Sequence, residues 1–297
     1  MPLAPCVEHR FTFHGFTYAV QCWGKPSARP LLALHGWLDN SESFSRLAQY
    51  LDDVYLIVPD LAGHGFTEQR SGYAEYSLWS EVNEICAIAD ALKVKNFALL
   101  GHSRGAMMAH IVAAIIPERI THLILLDAIT PIPVTQKQML PRLRQRFRHM
   151  TQIEQATRHF KTRESAINAR CESEYGGISQ DNAERLATRG LSEAQGDFFW
   201  HADSKLKVPA GTGITAEQIE ELLSHVSAPT LAIVASQGLM IKQKDSAVGL
   251  LAENVIRLNN ILVKTMDDGH FLHMSDSAQL VAQESFDFIN THRDVLE

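Results

Sequence analysis

The sequence predicts an α/β protein built on a doubly wound, mostly parallel sheet. Three observations carry this expectation: short apolar runs with no polar face ("RPLLALHGW", "NFALLGH"), amphipathic segments alternating with them, and Gly- or Pro-rich loops where the runs end. Strands apolar on both faces and separated by helices pack as a parallel sheet covered on both sides. Right-handed crossovers then make the sheet doubly wound. At 297 residues the chain is long enough for one large domain carrying an insertion.

Each element follows in order. "RFTFHGFTYAVQCWG" reads as a hairpin turning at His14 and Gly15. "RPLLALHGW" is a buried strand that enters a loop at Gly36. "SESFSRLAQYL" spaces Phe44, Leu47 and Leu51 as a helix behind a serine cap. "VYLIVPDLAGHG" is a second buried strand, and "SLWSEVNEICAIADAL" places Leu78, Val82, Ile85, Ile88 and Leu92 on one helical stripe. "NFALLGHSRGAMMAHIVAAI" reads as strand, tight turn and helix, and "HLILLDAITP" as a strand stopped at Pro131. The alternation fails from about Ile132 to Ser227, a polar and mostly helix-like region. It resumes with the strands "APTLAIVASQG" and "NNILVKTM" and the helix "DSAQLVAQESFDFINTH". The expected organisation is a core of residues 1–131 and 228–297, with residues 132–227 inserted between the sixth and seventh strands as a helical cap. Such sheets bind ligands outside the carboxyl ends of their strands.

Composition excludes several classes. With 27 basic and 34 acidic residues, the net charge of −7 lacks the basic footprint of a nucleic-acid binder. Cys6, Cys22, Cys86 and Cys171 show neither paired nor metal-like spacing, which suits reduced thiols in a cytoplasmic protein. The start "MPLAPCVEHRF" lacks the pattern of a secretory signal. The longest apolar stretches fall short of the ~20 residues that span a bilayer, so no membrane partner is expected.

The chemistry concentrates at Gly101-His102-Ser103-Arg104-Gly105, a G-x-S-x-G pattern between strand and helix. Glycines suit a strained turn packed against neighbouring backbone, and the turn holds the Ser103 hydroxyl out at the strand end. A hydroxyl nucleophile needs a base. His270, in the glycine-containing loop "MDDGHFLHM" after the last strand, is the best placed of 14 histidines, ahead of His273. The base needs an orienting carboxylate, and the chain order nucleophile, acid, base directs attention to two strand ends. After "LAIVASQGLM" there is none, because Ala235, Ser236, Gln237 and Gly238 offer no acid. Asp127, at the tip of "HLILLD", is therefore favoured, with Asp245 as the runner-up. The backbone amides of Trp37, in the loop "HGWLDN", and of Arg104 are the expected oxyanion donors. His35 is expected to brace that loop. No metal site is expected, since His270-x-x-His273 lacks further spaced ligands.

These segments together resemble the α/β hydrolases of the serine-hydrolase-like group. "HGWLDN", "DLAGHG", "GHSRGA", "LLDAI", "DDGHFLHM" and "FFWHADSKLKVP" carry the likeness, over nearly the whole chain. The resemblance implies Ser103 as nucleophile, His270 as base and the Trp37 and Arg104 amides as oxyanion hole. The chain departs from the pattern in lacking a carboxylate after "LAIVAS". Some related haloalkane dehalogenases place the acid one strand earlier, in a segment resembling "DAITPIP" here, which favours Asp127. Dehalogenases and epoxide hydrolases use an aspartate nucleophile, so Ser103 argues against both chemistries. The expected activity is hydrolysis of a small or medium acyl ester through an acyl-enzyme, with no cofactor. Carbon–carbon bond hydrolysis of a β-diketone-like acid, and a non-catalytic ligand-binding role, are the alternatives. Trp37, Phe198, Phe199 and Trp200 are candidate substrate-binding side chains. Lys137, Arg142, Arg144, Arg146, Arg148, Arg158, Lys161 and Arg163 make the insertion locally basic, as a solvated face or as guidance for an anionic acyl substrate.

Overall fold

A computed structural model describes residues 6–153, 157–172, 177–211 and 213–291. The start "MPLAPCVEHRF" therefore lies partly outside the described residues. The hairpin at His14-Gly15 forms as β1 (Cys6–Phe13) and β2 (Phe16–Trp23), with both turn residues at positive φ. There follow β3 (Arg29–Leu34), β4 (Val54–Pro59), α1 (Glu81–Ala91), β5 (Phe97–His102), α2 (Arg104–Ile115) and β6 (Ile120–Leu126). The order across the eight-stranded sheet is β1-β2-β4-β3-β5-β6-β9-β10, where β9 is Thr230–Ala235 and β10 is Leu262–Met266. Among the described residues of this sheet, β1-β2 and β2-β4 pair antiparallel and the other neighbours pair parallel.

Alternation along the strands divides the core into two layers. On one face Leu32, Leu34, Ile57, Leu99, Leu123 and Leu125 pack beneath α1 and α2. On the other, Leu31, Ala33, Leu56, Val58, Leu100 and Ile124 pack under the carboxyl-terminal helix. This is the period-2 division that a two-faced strand requires, and each fully buried Leu or Ile adds ~2 kcal/mol relative to exposure.

One predicted element takes another form. "SESFSRLAQYL" is not an α-helix but two 3-10 turns, Ser41–Phe44 and Leu47–Tyr50. Phe44 in the first turn and Leu47 in the second are both fully buried, as the predicted apolar spacing required. The Asn40 side chain caps the first turn by accepting from Glu42 N.

Between β6 and β9 lie α3 (Gln136–Met150), α4 (Arg163–Cys171), α5 (Gln180–Gly190), β7 (Leu191–Ala194), β8 (Asp197–Trp200) and α6 (Ala216–Leu223). The region is less purely helical than expected, because β7 and β8 form a hairpin turning at Gln195 and Gly196, both at positive φ. Its last helix belongs to the sheet layers: Ile219 and Leu223 of α6 are buried in the first core cluster. Two arginines, Arg189 buried and Arg170 partly buried, tie the rest down. Arg189 on α5 grips the Asp60 carboxylate at 2.6 Å, and Arg170 on α4 reaches Asp39 at 2.9 Å. The chain closes with α7 (Leu239–Lys242) and α8 (Ala247–Leu258), then α9 (Ala278–Thr291) after β10. No described helix is long and apolar enough to cross a membrane.

Candidate active site

The turn at Ser103 is forced by its neighbours. Ser103 sits at φ 53°, in the region non-glycine residues avoid, and its N–H donates to Leu126 O at 3.0 Å. A Cβ on Gly101 would lie 2.3 Å from Gly105 O, and one on Gly105 would lie 2.1 Å from Leu34 O. Both glycines are therefore required by close backbone approach, and the serine between them absorbs the strain. Arg104 opens α2, so its N–H has no acceptor within the helix.

Asp127 follows β6, itself at positive φ and 1% exposed. Its Oδ2 accepts from His270 Nδ1 at 2.6 Å. Because an ionised aspartate can only accept, His270 carries a proton on Nδ1, an arrangement that in the neutral ring leaves the lone pair on Nε2. Two more donors hold the carboxylate: Ala235 N at 3.2 Å and Leu239 N at 2.7 Å. A Cβ on Gly238 would fall 2.2 Å from the Asp127 carboxylate. The strand end that lacks an acid is thus shaped to receive the acid of its neighbour. Asp245, the runner-up, is exposed. Asp267 and Asp268 are occupied locally, by Ser236 Oγ and by Gly269 N and Ser275 Oγ.

Ser103, Asp127 and His270 line one cavity of about 590 Å³, together with Trp37 and Arg104. The Ser103 hydroxyl has no hydrogen-bond partner among the described residues, whereas the Asp127–His270 bond is formed. The remaining wall is mainly apolar, with Leu78, Trp79, Met107, Ile129, Leu206 and Met240 prominent. Trp37 is fixed by its indole Nε1, which donates to Leu206 O at 3.0 Å. Phe198, Phe199 and Trp200 do not line this cavity. The hairpin spends them on its own packing: Phe198 bridges Phe160, Phe199 lies against His159, and Trp200 Nε1 donates to Ala166 O.

His35 braces the Trp37 loop as expected. Its Nε2 accepts from Leu61 N at 2.9 Å and its Nδ1 bonds Gly36 O at 2.8 Å. His64 repeats the device by accepting from Leu38 N. Burial above all pushes both imidazoles below the ordinary histidine range. His273, the competitor to His270, is wholly buried and packs on His102 and Phe44.

Sequence reasoning missed His102, the variable residue before the serine. Its Nε2 donates to His270 O at 2.9 Å, pinning the backbone of the loop that presents the imidazole. Burial first, then the neighbouring His273 and His270, hold its pKa well below the ordinary value. The only signal available was a histidine at that position. Among the described residues, no group of three or more His, Cys, Asp or Glu is placed to hold a metal.

The architecture and the strand–turn–helix serine define an α/β hydrolase, and residues 29–277 match the family model for the alpha/beta hydrolase fold. The chain belongs to that family. Among curated proteins, it is similar to a "Serine hydrolase-like protein 2" of Homo sapiens, 30% identical over 70% of this chain and 69% of the relative. It is also similar to a "Serine hydrolase-like protein" of Danio rerio, 29% identical over 74% of this chain and 68% of the relative. The crystal structure of a hypothetical protein from Pseudomonas aeruginosa superposes with a TM-score of 0.89 at 30% identity, covering 95% of this chain and 99% of that one.

Proposed function

We propose that the protein is a serine hydrolase cleaving a small or medium carboxylic ester, with Ser103 as nucleophile, His270 as base and Asp127 as its orienting acid. The observation that carries the reading is the 2.6 Å Asp127–His270 hydrogen bond in the cavity that Ser103 also lines. His270 Nε2 takes the hydroxyl proton as Ser103 Oγ attacks the ester carbonyl. The amides of Trp37 and Arg104 receive the charge on the carbonyl oxygen. The imidazolium then protonates the departing alcohol, leaving an acyl-serine. Water, activated by the same nitrogen, attacks the acyl-serine, and Ser103 recovers its proton as the carboxylic acid leaves. Ser103 and His270 line the same cavity, and serine–histidine contacts of this kind tighten when substrate binds. No step calls for a cofactor. Residues 132–211 act as a cap in this reading, since Ile132, Val134, Leu206 and Val208 close the cavity from above the strand ends.

A fluorophosphonate probe tests the reading directly. It should label Ser103, with labelling lost in Ser103→Ala and p-nitrophenyl butyrate hydrolysis reduced by about 10⁴-fold or more. Unlabelled wild-type protein with no esterase activity would favour a non-catalytic binding role instead.

A further inference from the structure

Four charged side chains line the cavity: Asp39, Arg104, Asp127 and Arg142. Three are already held by the protein itself. Asp39 pairs with Arg170 at 2.9 Å and Arg104 with the buried Glu81 at 2.9 Å, while the Asp127 carboxylate accepts hydrogen bonds from His270 Nδ1, Ala235 N and Leu239 N. Arg142 has neither an ion pair nor a hydrogen bond among the described residues, and its Nε is buried without an acceptor. A guanidinium cannot shed its charge at any ordinary pH, and this half-buried one, with Nε cut off from water and from any acceptor, gains when an anion enters the cavity.

The side chain is held in place by its helix. The N-terminus of α3 is secured by a Thr135–Gln138 capping box. One turn beyond Arg142 on the same face, Arg146 pairs with Glu75 at 3.0 Å and also bonds Pro209 O. By contrast, Arg144 and Arg148 are exposed to water. The arginines of α3 thus divide into Arg146 as an anchor, Arg144 and Arg148 as solvated residues, and Arg142 turned over to the cavity.

We infer that Arg142 is the anion-binding group of this cavity and that the substrate is an ester carrying its own carboxylate. The inference rests on the serine-hydrolase reading above. The planar guanidinium fork matches a carboxylate with two parallel N–H···O bonds. One cation in a wall otherwise apolar or internally paired balances one negative charge, whereas a phosphate dianion would keep a second charge uncompensated. The paired charges in the cavity are committed to the architecture, and Arg142 is the group left for specificity.

The test compares paired esters in wild type, Arg142→Met and Arg142→Lys. On the acyl side, p-nitrophenyl half-esters of adipic, pimelic and suberic acids are set against counterparts with an isopropyl group in place of the carboxylate. On the alcohol side, p-carboxyphenyl butyrate is set against p-isopropylphenyl butyrate. In at least one pair, Arg142→Met should lower the anionic-to-neutral ratio of kcat/KM by tenfold to a hundredfold, with Arg142→Lys between the two. A ratio unmoved within twofold in every pair overturns the inference, and Ser103 still labelling with fluorophosphonate then leaves the hydrolase reading intact. If Ser103 does not label, calorimetric binding of monomethyl adipate, which carries one carboxylate, decides the anion site by itself. Ser103→Ala should bind it and Ser103→Ala/Arg142→Met should not; equal binding by both overturns the assignment.

Discussion

Gly238 shows how a residue without a side chain shapes the chemistry of another. Its missing Cβ leaves the space that the Asp127 carboxylate fills, and Leu239 N, next along the chain, donates into that carboxylate. Gly238→Ala is expected to push Asp127 away from His270 and lower kcat at least tenfold with a smaller change in KM, measured on p-nitrophenyl butyrate. Asp127→Asn keeps the shape but offers His270 Nδ1 an amide, which can stabilise the unproductive tautomer; kcat should fall by about 10⁴-fold. An unchanged kcat in Asp127→Asn would remove Asp127 from the mechanism. Both substitutions act on one hydrogen bond, so their effects should not add. The favoured acid was legible in the sequence as a carboxylate at a strand tip. Its cradle was not, because Gly238 and Asp127 stand more than a hundred residues apart and only strand order makes β6 and β9 neighbours.

Among the elements, the helices inserted after β6 hold their position through charge as much as through apolar burial. The Arg189 side chain is 4% exposed, and Asp60, its partner, is fully buried while also accepting from Ser41 N and Phe66 N. Arg189→Met would leave that carboxylate buried without its cation. The expected cost is about 3–5 kcal/mol, read as a lower urea midpoint. An unchanged midpoint would mean that the pair contributes nothing net. The core strands were readable as continuous apolar runs ended by Gly or Pro, α1 as an amphipathic stripe, and α2 from the glycine-flanked turn before it. The 3-10 turns and the β7-β8 hairpin were not. Short helical turns share the three-residue spacing of an α-helix, and "DFFW" shows no alternation that would single out a strand. For the same reason Phe198, Phe199 and Trp200 looked like pocket walls until the hairpin set them against Phe160, His159 and Ala166 O.

At the scale of the whole molecule, buried imidazoles link folding to pH. Burial holds His273 at about 3 and His110 at about 4, and depresses His35, His64 and His102 in the same direction. In the unfolded chain these rings protonate near the ordinary ~6.5, whereas the folded chain leaves them neutral. The unfolded state then binds more protons between about pH 6.5 and pH 4. Stability is complete above that window and declines as pH falls through it. Each ring accounts for up to ~1.4 kcal/mol per pH unit. Urea unfolding should give a lower stability at pH 5.5 than at pH 7.0, and His110→Gln should reduce the difference. Equal stability at the two pH values would contradict this linkage.

By itself the sequence determined the α/β class, the serine turn and the positions of its core strands along the chain, since each is written in local apolar runs, in glycine spacing or in a few adjacent residues. The tertiary structure decided which acid meets His270, which histidine holds its loop, and which of many arginines is left without a partner at the cavity. Those are properties of pairs brought together by strand order and burial, and a pair distant along the chain has no local signature.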